Sequence, residues 1–195
     1  MEDKNKIVDF LFEVGMLAKT PRSGFFFLGS GEQSVAEHIN RVSYIGFVLA
    51  SMDKDIDSSK VLKMCLFHDL AETRISDLNY VHQKYVKSKE AEALKDLTDP
   101  LPFGGEIKEM IEEYEKRETK EAKIAKDADI LELLLSLKEQ VDIGNERAKT
   151  WIPSLLKRFI TEEAKTLAES IVETDSDAWW FGDKSDGWWV NRSKK

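Results

Sequence analysis

A chain of 195 residues is long enough for one domain with a substantial buried core, or one domain and a tail. Its 37 acidic and 29 basic residues give a formal charge of −8, which argues against non-specific nucleic-acid binding through clustered lysine and arginine. The lone cysteine, Cys65, excludes an intrachain disulfide; MEDKNKIVDF lacks a signal peptide's apolar core, and no run approaches the roughly 18 apolar residues of a membrane span, so a soluble cytoplasmic domain is expected.

Apolar spacing is helical almost throughout. Ile7, Phe10, Leu11, Val14 and Leu17 recur at three- and four-residue intervals and predict a first helix. Pro21, Gly24, Gly29 and Gly31 break the pattern, so residues 18–33 read as a loop. Ser34 and Glu37 have capping-box spacing and start a second helix that runs to about Met52. Asp57 or Ser58 begins a third, apolar almost all round at Val61, Leu62, Met64, Cys65, Leu66 and Phe67, which predicts neighbours on every side. Residues 73–86 read as irregular.

Helices resume over 87–98, stop at the Pro100 and Pro102 segment, and resume near Gly105. A long helix spans roughly 119–143 with Ile124, Ala128, Leu131, Leu134, Leu135 and Leu137 inward. Pro153 begins or kinks the next, which continues to about Glu173. The segment 175–195 holds Trp179, Trp180, Trp188 and Trp189, too aromatic for a linker, and is expected to pack on its own domain (1–174) or on a partner subunit. The fold class is all-α.

The stretch CLFHDLAE, residues 65–72, carries the chemistry. His68 and Asp69 end an apolar run and Glu72 follows one turn later. His38 is expected mid-way along the second helix, and Asp127 and Asp129 interrupt the apolar stretch of the long helix, where an uncompensated carboxylate is costly. Each alone has a plain reading: a hydrogen-bonded core histidine, a surface acid, or, for Glu72, an ion pair with Arg74 or Arg41. Together, two imidazoles and two carboxylates make a nitrogen–oxygen donor set suited to a borderline divalent cation.

The order His, His-Asp, Asp resembles that of the HD-domain metal-dependent phosphohydrolases, and more closely their 5′-deoxynucleotidase branch. The landmarks are TPRSGF (20–25), SVAEH (34–38), FHDLAE (67–72), SDL (76–78) and AKDAD (125–129). The resemblance implies a helical bundle in which His38, His68, Asp69 and Asp129 hold one divalent transition metal (Mn, Co, Fe, Ni or Zn), with Asp127 as competitor for the last position. It implies that Glu72 and Asp77 act beside the metal on water, substrate or a weaker second cation, and that Arg22 orients the phosphate. The family's sugar-selecting tryptophan near that arginine is missing here, and Phe25 is the nearest aromatic. The only other histidine, His82, lacks the context of a two-metal site. The activity implied is hydrolysis of (deoxy)nucleoside 5′-monophosphates to nucleoside and phosphate by a homodimer acting on a small-molecule substrate, with no nucleic-acid polymer and no membrane as partner.

Overall fold

The computed structural model describes residues 2–191. Among these there is no strand, and an isolated antiparallel bridge joins Pro21 to Ser34. The helices are α1 (Glu2–Val14), α2 (Phe25–Leu28), α3 (Val35–Ser51), α4 (Ser58–Phe67), α5 (Glu72–Ile75), α6 (Tyr80–Tyr85), α7 (Glu90–Thr98), α8 (Gly104–Lys116), α9 (Lys120–Asp142), α10 (Glu146–Leu155), α11 (Glu162–Glu173), α12 (Ala178–Phe181) and α13 (Gly187–Val190). None of them is long and apolar enough to cross a membrane.

Local chemistry sets the helix starts. Ser34 accepts from the Glu37 amide at 3.2 Å while Glu37 reaches back to the Ser34 amide at 2.6 Å, a complete capping box. Asp57, not Ser58, caps α4, accepting from the Lys60 amide at 3.1 Å. Thr119, Asn145 and Thr161 cap α9, α10 and α11.

The long helix α9 is the axis of the molecule, with α3, α4, α8, α10 and α11 packed around it. Ala122, Ala125, Ala128, Leu131, Leu134 and Leu137 are buried along it, the alanines admitting neighbours closely. Such a helix has little solvent face, so Asp127, Glu132 and Ser136 are buried as well. On α3, a Cβ added to Gly46 would stand 2.6 Å from Cys65 Sγ, so glycine there lets α3 and α4 approach. A smaller cluster of Leu17, Val35, Ile39, Leu70, Leu97, Ile107 and Ile111 ties α1, α3, α7 and α8 together.

Four expectations change. The predicted loop 18–33 contains α2, and the segment read as irregular contains α5 and α6. Pro153 neither begins nor kinks a continuous helix: it sits in the last turn of α10, a 3-10 turn follows over Leu156–Arg158, and Thr161 starts α11 afresh. Leu66 is 51% exposed and Leu62 half-buried, so α4 does not have neighbours on every side. They instead line an apolar groove of about 800 Å³ with Phe10, Leu11, Tyr44 and Phe47. In the tail, Trp180 stacks on Phe181 with centroids 5.1 Å apart, and Trp189 packs edge-on to Phe181 at 5.1 Å. Trp179 stays 87% exposed, and residues 192–195 lie outside the described residues.

Candidate metal centre

α4 ends just before the His-Asp pair. Phe67 is its last residue, His68 is the capping residue beyond it, and the chain then turns through Asp69 to Glu72, the first residue of α5. Leaving the helix lets His68 and Asp69 aim at one point. His38 meets them from the first turn of α3, nearer the helix start than the mid-helix position expected, and Asp129 from α9.

The two imidazoles are oriented from behind. His68 Nδ1 donates to the Cys65 carbonyl at 2.9 Å, one of the carbonyls left unbonded at the end of α4. His38 Nδ1 donates to Glu132 Oε2 at 2.6 Å. Both Nε2 atoms therefore face inward, 3.4 Å apart. Asp69 Oδ2 lies 3.3 Å from His68 Nε2 and 3.5 Å from His38 Nε2. Asp129 Oδ1 lies 3.3 Å from His38 Nε2, while its Oδ2 accepts from Lys126 at 2.7 Å and Tyr114 at 3.0 Å. The donor atoms of His38, His68 and Asp69 thus fall within 4.8 Å of one another, and Asp129 Oδ1 adjoins them at His38 Nε2.

The electrostatics fit a cation. Burial and Arg22 oppose a charge on His38, but hydrogen bonds to Asp129 and Glu132 prevail and push its pKa up to about 9. Burial also opposes charge on Asp69 and Asp129; the histidines and Arg22 hold Asp69 well below the usual carboxylate range, and Lys126 with the histidines does the same for Asp129. Glu72 is the exception: burial, then Asp69 and Asp77, push it up to about 9. Its Oε2 is buried without a hydrogen-bond partner. A buried carboxylate oxygen with no donor, beside two imidazoles and two ionised aspartates, is the setting a divalent cation completes. Burial, then Asp129, pushes the Cys65 thiol up to about 12, which removes it from the donor set.

The remaining predicted residues gather at the rim. Arg22 Nη1 lies 3.3 Å from Asp69 Oδ2. Asp77 Oδ2 accepts from the Ser23 amide at 2.7 Å, and Ser23 Oγ donates to the Asp77 carbonyl at 2.8 Å, so Asp77 fastens the Arg22 loop. Ser76, just before it, adopts φ +63°, a conformation costing a non-glycine residue on the order of 1–3 kcal/mol. A cavity of about 350 Å³ runs from Arg22, Asp69, Glu72 and Asp129 to an apolar wall that includes Phe25, Leu133 and Trp151. A polar recess of about 500 Å³ shares Asp69, Glu72 and Arg158 and adds Arg117 and Lys126.

The competing readings separate. Asp127 accepts from the Ile160 amide at 2.9 Å and from the Thr161 amide and hydroxyl at 2.7 Å each, so it anchors the start of α11. Arg74 pairs with Glu13 and Arg41 with Glu132 and Glu139, so neither takes Glu72. His82 bonds Asn79. Sequence reasoning missed Glu132, Lys126, Tyr114, Gln33 and Trp151. For Glu132 the signal was there, since it too is an acid within the apolar run ILELLL.

An all-α bundle brings His38, His68 and Asp69 together at the end of one helix, with Asp129 beside His38, in the order that resembles an HD domain. The chain belongs to the HD domain family, whose model matches residues 14–171. HD domains are metal-dependent phosphohydrolases. The chain is similar to 5′-deoxynucleotidase HDDC2 of Bos taurus, 31% identical over 173 residues that span 85% of this chain and 83% of the relative. It is 33% identical to 5′-deoxynucleotidase hdd1 of Schizosaccharomyces pombe over 144 residues, 68% of this chain and 71% of that protein. Among solved structures, a conserved hypothetical protein from Pyrococcus furiosus matches with a TM-score of 0.73 at 32% identity, covering 86% of this chain and 99% of that one.

Proposed function

We propose that this chain is a 5′-deoxynucleotidase that hydrolyses (deoxy)nucleoside 5′-monophosphates to nucleoside and phosphate. The observation that carries the reading is a cluster of inward-facing nitrogen and oxygen donors beside the partly buried Arg22, at a cavity that Phe25, Leu133 and Trp151 also line. The similarity to proteins named 5′-deoxynucleotidase supports the same substrate class.

In this reading His38, His68, Asp69 and Asp129 hold one divalent ion of Mn, Co, Fe, Ni or Zn, with a weaker second cation beside Glu72 and Asp77. The ion supplies a Lewis acid that polarises the phosphoryl group and acidifies water. Arg22 binds two phosphate oxygens and orients the group for attack. Glu72 accepts the proton of the attacking water on its unpartnered Oε2. Its raised pKa comes from burial and from Asp69 and Asp77, and neutralising those acids brings it toward the range where a general base works. Asp77 keeps the Arg22 loop over the site, and Phe25 borders the sugar. The apolar groove of α1, α3 and α4 supports a homodimer, and the unpaired, buried Cys65 suits the cytoplasm.

The test is phosphate release from ribo- and deoxyribonucleoside mono-, di- and triphosphates by chelator-stripped protein, with and without each added metal. Metal-dependent turnover of the monophosphates, deoxy forms ahead, is expected. Turnover of triphosphates alone, or none with any metal, refutes the reading.

A further inference from the structure

Glu132 touches neither cavity, yet it stands behind both the histidine of the site and the loop that carries the arginine. Its Oε1 accepts from the Gln33 amide at 2.7 Å, the Arg41 guanidinium at 2.8 and 3.0 Å and the Ser136 hydroxyl at 3.1 Å. Its Oε2 faces His38 Nδ1 at 2.6 Å. We propose that Glu132 is the positioning residue of this site: a buried carboxylate that fixes His38 with Nε2 toward the metal and, through Gln33, sets the backbone that carries Arg22.

The first half follows from hydrogen-bond inventory. An ionised carboxylate has only acceptors, so the imidazole nitrogen facing it must be the donor, and when the ring is neutral, as a metal ligand must be, the lone pair is left on Nε2. Four donors saturate Oε1 and lock the carboxylate's rotamer, so Oε2 stays reserved for His38. The second half follows from Gln33, whose amide must donate to an acceptor-only oxygen. Gln33 is held in place by that bond, and its main-chain carbonyl accepts the Arg22 amide at 2.8 Å. A merely structural role, neutralising Arg41, leaves this unexplained: Arg41 already has Glu139 at 2.6 Å, and Oε2 of Glu132 is not spent on it.

The inference rests on the metal reading of His38, and its test reads metal binding before any nucleotide is added. Glu132→Gln puts an amide where the acceptor was, and affinity for Co²⁺ alone, measured by calorimetry on stripped protein, is expected to weaken about 10- to 100-fold. Leu49→Ala, a buried core truncation far along α3, is the structural control: it lowers the melting temperature and leaves cobalt affinity unchanged. Gln33→Leu is expected to keep cobalt affinity and to weaken binding of inorganic phosphate to the cobalt-loaded protein. A folded Glu132→Gln protein with wild-type cobalt affinity overturns the first half; unaltered phosphate affinity in Gln33→Leu overturns the second. Should Glu132→Gln not fold, nitrogen-15 spectra of zinc-loaded wild-type protein decide: a His38 proton on Nδ1 supports the proposal, and one on Nε2 overturns it. If no nucleotide is hydrolysed while Glu132→Gln still loses cobalt, the nucleotidase reading falls and this one stands.

Discussion

Glu72 and Asp69 are three residues apart and carry opposite electrostatics. Asp69 has two imidazoles and a guanidinium around it and is held ionised, whereas at Glu72 burial and the charges of Asp69 and Asp77 outweigh Arg22 and His38, and one oxygen has no donor. Two acids pushed in opposite directions by their surroundings take different roles. Glu72→Ala is therefore expected to keep the metal and lose about 10²–10⁴ in turnover, the usual scale for a general acid–base group. Metal analysis beside steady-state kinetics checks this, and loss of metal in the variant would make Glu72 a ligand instead. Arg22 calls for a different contrast. Lysine keeps the charge but cannot present two parallel N–H donors to a phosphate. Arg22→Lys should lower kcat/KM for nucleoside monophosphates while metal content holds, and wild-type kinetics in that variant would remove Arg22 from the phosphate.

At the scale of elements, α9 explains both what the sequence showed and what it hid. Asp129 was legible because an acid in an apolar helix needs a partner, and the HD-family order pointed to its partners in advance. Glu132 obeys the same rule and went unread because stripe logic assigns an acid in a leucine-rich helix to a solvent face. α9 has little such face, so Asp127, Glu132 and Ser136 are buried. Caps were legible for the same reason that Asp127 was not: a Ser34–Glu37 box is local, whereas Asp127 bonds backbone 33 and 34 residues away. The break between α10 and α11 was hidden because proline is tolerated where a helix is about to end. Asp127→Ala should strip the Ile160 and Thr161 amides of their acceptor, costing on the order of 1 kcal/mol for each bond lost. The expected readout is a lowered melting temperature with unchanged metal affinity, the reverse of Asp129→Ala. A metal-deficient but stable Asp127→Ala protein would return the two aspartates to competition.

On the whole molecule, the apolar residues of α4 that suggested complete burial instead help to form an open groove with α1 and α3. Sequence could show that this face is apolar, not whether its cover comes from the same chain. Phe47 is 53% exposed in this groove, so a charge there should cost the fold little and an interface much. If the proposed homodimer forms through this groove, Phe47→Glu turns it into a folded monomer in sedimentation. A wild-type protein that sediments as a monomer at micromolar concentration would contradict the homodimer.

The inward-facing donors come from α3, from the turn that closes α4 and from α9, segments far apart along the chain. An unfolded chain holds these groups tens of ångströms apart, so a cation that binds them binds the native state almost alone. Under the proposed ligand set, folding and metal occupancy are thermodynamically linked, and the ion would be a reversible crosslink between helices as well as a participant in chemistry. Free metal at 100 times its Kd adds about 2.7 kcal/mol to the stability of the native state. Chelation should accordingly lower the melting temperature, and titrating the metal back should raise it in proportion to the logarithm of its concentration. A melting temperature indifferent to both would mean that the three helices are held at this point without it.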